Sequence, residues 1–173
     1  MIFSFMRLFV LIVFFSTIFF DVFALNDSQY EKYKISKSCE YCDLSDSKLD
    51  NLNLQGSNLQ NAKLENATMI GSDLSPKKME KTTLYTNLEN SNFRNANLKD
   101  ADLTLSKMSN SYFKGANLEN AKLIKTNLSS GNFSKVNFTD ADLTGAILKN
   151  TKLKGAVFCR TTMPSGKKNN SDC

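Results

Sequence analysis

Large apolar residues recur at every fifth position along most of this chain. One series runs from Leu44 to Leu74 and a second from Leu88 to Phe158, and the positions between are mostly Asn, Ser, Lys, Asp and Glu. The residue two places before each large one is small almost throughout, with Leu52 and Val136 as the bulky exceptions. A repeat of this length is the first feature that a structural interpretation has to explain.

Neither regular element can carry this spacing. On an α-helix a step of five rotates the side chain by about 140°, so the leucines would bury no face. On a continuous strand an odd step turns each leucine to the opposite face. The spacing therefore predicts a short extended piece and a turn in every five residues, with the small and the large residue both inward and the turns stacked as a solenoid.

The segments 96–103, 116–123 and 141–148 read Ala-Asn-Leu-Lys-Asp-Ala-Asp-Leu, Ala-Asn-Leu-Glu-Asn-Ala-Lys-Leu and Ala-Asp-Leu-Thr-Gly-Ala-Ile-Leu. They resemble the pentapeptide-repeat family, whose pattern is Ala-(Asp/Asn)-Leu-x-x. The resemblance covers about 42–158 and implies an all-β fold, a right-handed quadrilateral β-helix of about six coils with one pentad on each side.

Given four sides, residues 20 positions apart should stack in columns. Two columns are predicted: an inward one of Phe93, Phe113 and Phe133, and an outward ladder of Asn97, Asn117 and Asn137.

The repeat is interrupted at 75–85. Leu84 and Leu88 are only four positions apart. Met79 keeps the spacing of five, but its inward partner would be Lys77, which would bury an unpaired charge. Pro76 lacks the N–H that a bond between coils needs. We interpret 75–85 as an outward loop or a distorted corner.

The first 24 residues have the pattern of a secretory signal peptide. Arg7 precedes an apolar run at residues 8–20, and Val22-Phe23-Ala24 suits a cleavage site between Ala24 and Leu25. The alternative is an uncleaved anchor formed by residues 8–20, although Asp21 ends that run short of a full span. We expect export to the periplasm or the outside of the cell.

A solenoid needs caps at its open ends. Residues 25–41 are expected to cap the first coil and residues 159–173 the last. The four cysteines lie at 39, 42, 159 and 173. Since six coils separate Cys42 from Cys159, the rod favours Cys39–Cys42 and Cys159–Cys173 disulfides. The rod disfavours a four-cysteine zinc site, and a redox site at Cys39–Cys42 would need a βαβ context that the sequence lacks.

Composition narrows the function. The sequence has 173 residues, 22 Lys+Arg, 17 Asp+Glu and no His, with a formal net charge of +5. The missing histidine excludes Ser-His-Asp and Cys-His relays and imidazole metal ligands, so we expect no enzyme, catalytic residue, metal or cofactor. Family members that inhibit DNA topoisomerases are acidic DNA mimics, and a basic exported chain does not fit that activity. Basic charge without a motif also gives no reason to expect nucleic-acid binding.

Two surface features are candidates for contact with an unidentified protein or envelope component. Leu105 and Ile124 are apolar at outward positions and should be neighbours. Lys149, Lys152 and Lys154 make the C-terminal end basic, which would attract an anionic surface. The sequence thus predicts an exported binding or structural module. The alternative is an envelope-associated protein held by its leader or its basic end.

Overall fold

The computed structural model describes residues 38–173, and the predictions for the leader, its cleavage site and most of the N-terminal cap lie outside that range. Parallel backbone bridges join positions 20 residues apart, as in the series Asn97, Asn117 and Asn137. The N–H of Phe93 donates to the carbonyl of Tyr112 at 2.7 Å, and the N–H of Tyr112 donates to that of Ser91 at 2.9 Å. The chain is a right-handed quadrilateral β-helix, as the resemblance to pentapeptide-repeat proteins implies.

The interior is filled by the two inward residues of each pentad. Phe93, Phe113 and Phe133 are fully buried, and their rings stack with centroids 4.5 and 4.8 Å apart. Phe138 and Phe158 form a second stack at 5.5 Å on the next side. The predicted inward phenylalanine column is therefore confirmed.

Many of the small inward residues are serine or threonine, whose hydroxyl groups need hydrogen-bond acceptors inside this narrow core. In five pentads the hydroxyl of this small residue donates to the carbonyl of the large residue three positions earlier, and at Ser72, Thr151 and Thr161 it donates to a carbonyl of the preceding coil. Ser57 donates to Leu54 at 2.6 Å, and Thr126 donates to Leu123 at 2.7 Å. These buried hydroxyls are tolerated because backbone carbonyls accept their hydrogen bonds, and among the described residues Ser106 Oγ is the exception, with no partner.

Each corner is a tight turn with a left-handed residue. In the pentad of Leu98, the residue two places later, Asp100, has φ 61°, and the N–H of Ala101 donates back to the carbonyl of Leu98 at 3.2 Å. This geometry is that of a type II turn, whose third position requires a positive φ. Asn and Gly recur at that position because they adopt it at low cost.

The interruption is a short antiparallel hairpin outside the coils, made of β1 (Lys77–Lys78) and β2 (Thr83–Leu84). Across it, bridged residues lie 29 positions apart rather than 20, as in Asn58 and Asn87. Lys77 is exposed, so no lysine enters the core. Met79 and Leu84 keep the spacing of five yet are 54% and 45% exposed.

The hairpin starts where the preceding coil leaves room for it. A Cβ at Gly56 would lie 2.9 Å from the Leu84 Cβ and 3.1 Å from the Lys77 Cβ. Gly56 also has φ 66°. Glycine at this corner therefore serves both the turn and the close approach of the hairpin base.

The coils extend slightly beyond the predicted bounds of 42 and 158. Ser38 already bridges to Asn58 at the start, and Asp142 bridges to Thr162 at the end. The tail then forms a second hairpin, of β3 (Thr161–Thr162) and β4 (Lys168–Asn169). Residues 38–41 thus belong to the first coil rather than to a separate cap, because they have its backbone partners.

A disulfide lies at each end of the rod. Cys39 and Cys42 occupy inward positions of the first coil, are almost fully buried and have Cα atoms 5.2 Å apart. Cys159 and Cys173 tie the tail to the last coil, with Cα atoms 4.7 Å apart. There, the Phe158 N–H donates to the Asp172 carboxylate at 2.8 Å.

Candidate binding surfaces

The repeat fixes the interior, so any binding function depends on the outward residues. Within residues 38–173 the structure contains no helix able to cross a membrane, and no group of three or more His, Cys, Asp or Glu side chains suited to a metal ion.

Leu105 and Ile124 lie next to each other, in adjacent coils. The N–H of Leu105 donates to the carbonyl of Ile124 at 2.9 Å. Leu105 is 38% exposed and sits at a corner with φ 60°, a conformation that disfavours leucine, whereas Ile124 is half-buried. The pair is too small to form an apolar patch of the size that usually marks an interface.

Lys149, Lys152 and Lys154 are all exposed in the last coil. They lie on two adjacent sides, because the corner residue Asn150 separates Lys149 from the other two. Among the described residues none of these lysines forms an ion pair. The structure thus places a basic edge at this end of the rod.

Lys152 and Lys154 belong to a larger basic surface, which we call the Phe113 face. It consists of residues 91–95, 111–115, 131–135 and 151–155, which stack on one side in four successive coils. Acidic residues are absent from these four segments. Its exposed cations are Arg94, Lys114, Lys135, Lys152 and Lys154.

On the side of the rod that follows the Phe113 face along the chain, basic side chains form ion pairs with acidic ones. Lys99 Nζ lies 2.8 Å from Glu119 Oε1, and the hydrogen bond that Lys99 donates to this carboxylate raises the pKa of Lys99. Arg160 donates two hydrogen bonds of 2.7 Å to Asp140, which lowers the pKa of Asp140. Of the Phe113-face cations, only Arg94 lies within 4 Å of a carboxylate among the described residues, that of Glu65 in the preceding coil at 3.8 Å.

The predicted asparagine ladder is present on that neighbouring side. Asn117 Nδ2 donates to Asn97 Oδ1 at 3.3 Å, and Asn137 Nδ2 donates to Asn117 Oδ1 at 3.2 Å. Each Oδ1 also accepts a backbone N–H two residues later, as Asn117 does from Glu119 at 3.1 Å. The ladder uses the amide groups for coil-to-coil contacts.

On the Phe113 face, Tyr112 interrupts the corresponding column. Asn92, Tyr112 and Asn132 are bridged in series, and Tyr112 is 52% exposed. The Oδ1 atoms of Asn92 and Asn132 accept the N–H groups of Arg94 and Ser134, each at 3.1 Å. Their Nδ2 groups have no hydrogen-bond partner among the described residues, so two amide donors flank an exposed aromatic ring.

Sequence reasoning missed the Phe113 face as a unit. Tyr112 is visible as an outward apolar residue, and the lysines are visible as charge. Their alignment appears only when outward positions are compared at intervals of 20. That comparison can be made on the sequence and would have revealed the face.

The repeats match a known family model. The model for pentapeptide repeats matches residues 38–75, 84–110, 111–150 and 121–160, with eight copies. The chain belongs to the pentapeptide-repeat family. The match stops at the hairpin and resumes after it, in agreement with the extra residues there. Members of this family are generally non-enzymatic structural or binding modules.

Solved structures of pentapeptide-repeat proteins are similar in fold. The cyanobacterial Rfr23 from Cyanothece 51142 is 23% identical with a TM-score of 0.52, and the match covers 75% of this chain and 92% of Rfr23. A protein from the Arabidopsis thaliana thylakoid lumen is 27% identical with a TM-score of 0.42, covering 65% and 66% of the two chains. HetL from Nostoc sp. strain PCC 7120, involved in heterocyst differentiation regulation, is 24% identical with a TM-score of 0.36, covering 76% of this chain and 66% of HetL. A comparison with curated protein sequences gave no significant match.

Proposed function

We propose that this pentapeptide-repeat protein is an exported, non-enzymatic binding or structural module that acts in the periplasm or outside the cell. Its interior is devoted to packing, and its sides carry the residues that differ from coil to coil. The partner is an unidentified protein or envelope component, and no cofactor is involved.

The observation that carries export is the pairing of all four cysteines at the two ends of the rod, with Cα separations of 5.2 and 4.7 Å. Disulfides persist in oxidising compartments and are rare in the cytosol. The signal-peptide pattern before Leu25 supports the same compartment independently.

A second candidate is association with the cell envelope. Retention would come from an uncleaved leader, through the apolar run at 8–20, or from the basic end formed by Lys149, Lys152 and Lys154. These lysines are exposed and form no ion pair with the described residues, which favours this candidate because an unpaired cation attracts an anionic surface.

Fractionation of the native host combined with N-terminal sequencing tests the proposal. A new N-terminus at Leu25 on soluble protein supports the exported module, whereas an intact leader in the membrane fraction supports the envelope-associated form. An Ala24→Tyr variant supplies the uncleaved reference, since signal peptidase needs a small residue there. Four free thiols on unfolded, unreduced protein would refute the oxidised state and, with it, the argument for export.

A further inference from the structure

We propose that the Phe113 face is a binding site for an acidic polysaccharide, a polymer of sugar rings that carry carboxylate or sulfate groups. This inference names a ligand class for the binding module and rests on that proposed function. It concerns the middle and end of the rod, and it extends well beyond the C-terminal lysines identified from the sequence.

The first argument is that this face carries several positive charges and no negative charge. Four successive coils present five exposed cations on one side, and these segments hold no carboxylate. Lys114, Lys135, Lys152 and Lys154 form no ion pair among the described residues. A surface of one sign attracts ligands of the other sign and excludes those of the same sign.

The second argument is the regular geometry of this face. Coils repeat at about 4.8 Å, the distance between hydrogen-bonded strands. The cations are therefore held at fixed intervals along the rod on a backbone tied by bonds such as that from Phe113 N to Asn132 O at 2.8 Å. A preorganised array of this kind suits an extended polymer with recurring charges, because little is lost in ordering the protein on binding.

The third argument is the arrangement around Tyr112, which separates a sugar polymer from other polyanions. An exposed aromatic ring offers an apolar face for a sugar ring. Asn92 and Asn132 lie on either side of it in the column, and their Nδ2 groups have no acceptor among the described residues. The hydroxyl and carboxylate oxygens of a sugar unit can accept hydrogen bonds from these amides while its ring packs on the tyrosine, so one ligand would use all three groups together.

Binding of polygalacturonate to the oxidised full chain tests the site. Uncharged dextran, double-stranded DNA and phosphatidylglycerol vesicles are measured alongside it. We expect binding to polygalacturonate that weakens as salt is added, with no binding to dextran. Absence of polygalacturonate binding, or tighter binding to DNA or to vesicles, would overturn the assignment.

Charge variants separate this face from net charge. Lys114→Glu combined with Lys154→Glu should weaken polygalacturonate binding by on the order of tenfold or more. Lys78→Glu combined with Lys107→Glu makes the same change in charge at exposed positions off this face and should have a much smaller effect. Equal losses in the two double variants would show attraction by net charge alone and would refute a site.

Tyr112→Asn is the matched variant for the aromatic ring. It extends to this side the asparagine ladder that already exists at Asn97, Asn117 and Asn137, so we expect the fold to be kept. It removes the ring and, with the direction of the existing ladder, gives the Asn132 amide an acceptor while leaving every lysine in place. Binding should weaken several-fold with no loss in melting temperature, and unchanged affinity would contradict the role given to Tyr112.

These measurements use purified protein, so their result is separate from the test of export. Polygalacturonate binding in a chain that proves cytosolic would support the site and refute the compartment. Export without polygalacturonate binding would refute the binding site but leave the proposal of an exported module standing.

Discussion

Replacing Phe113 by alanine tests the packing on which the fold depends. Phe113 is fully buried, and its ring stacks between Phe93 and Phe133 at 4.5 and 4.8 Å. A buried Phe→Ala change removes about 3–5 kcal/mol of stability. Both neighbours of the ring lose a partner, so we expect Phe113→Ala to lower the free energy of unfolding by an amount in the upper part of that range.

Two further variants sharpen this prediction. Phe113→Leu should cost about 1–3 kcal/mol, because it loses two ring pairs but places a residue that the same column already accepts at Leu64 and Leu153. Tyr112→Ala, at the adjacent outward position, should change stability by no more than about 0.5 kcal/mol.

Urea unfolding followed by circular dichroism, with both disulfides intact, gives the three values. The reasoning would be refuted by a cost below about 1 kcal/mol for Phe113→Ala. The reasoning would also be refuted if Tyr112→Ala lowered the free energy of unfolding as much as Phe113→Ala. In that case Tyr112 would not be an outward residue and Phe113 an inward one.

Three other predictions concern a corner, an ion pair and a disulfide. Leu105→Asn should raise the free energy of unfolding by about 0.5–1 kcal/mol, because asparagine tolerates the left-handed corner. Leu105→Ala should give no gain. Equal shifts in melting temperature for the two variants would contradict the role given to the corner. The pKa of Asp140 is lowered by Arg160, so the pair's contribution should be present above the ordinary value of 3.8 and lost as the pH falls below it. Asp140→Asn should therefore reduce the change in urea midpoint over that acid range, and an unaltered acid profile would argue against it. Replacing Cys159 and Cys173 by serine opens a loop with a sequence separation of 14 and should cost about 3 kcal/mol in urea unfolding, and a loss under about 1 kcal/mol would show that the tail is held by its hydrogen bonds.

The sequence by itself determined a solenoid that turns in every five residues and the contents of its core. A spacing of five excludes a helix and a continuous strand, and the alternation of small and large residues specifies a narrow interior. These inferences work because every pentad repeats the same local problem. The Phe93–Phe113–Phe133 column and the asparagine ladder followed once the family resemblance supplied four sides, since residues 20 apart then become neighbours.

The sequence predicted an outward loop or a distorted corner at 75–85, and only the tertiary structure decided that this segment is a hairpin. Met79 and Leu84 have the right spacing yet lie outside the core, because nine additional residues separate the coils that flank the hairpin and their backbone partners lie in the hairpin itself. The left-handed corner at Leu105 was likewise invisible, since leucine does not signal a positive φ.

The basic face and the free amides beside Tyr112 depend on contacts between coils. Their residues are far apart in sequence and meet only because the chain closes each coil with a fixed rise. Local pattern therefore determined what lies inside this protein, and coil closure decided which outward side chains act together.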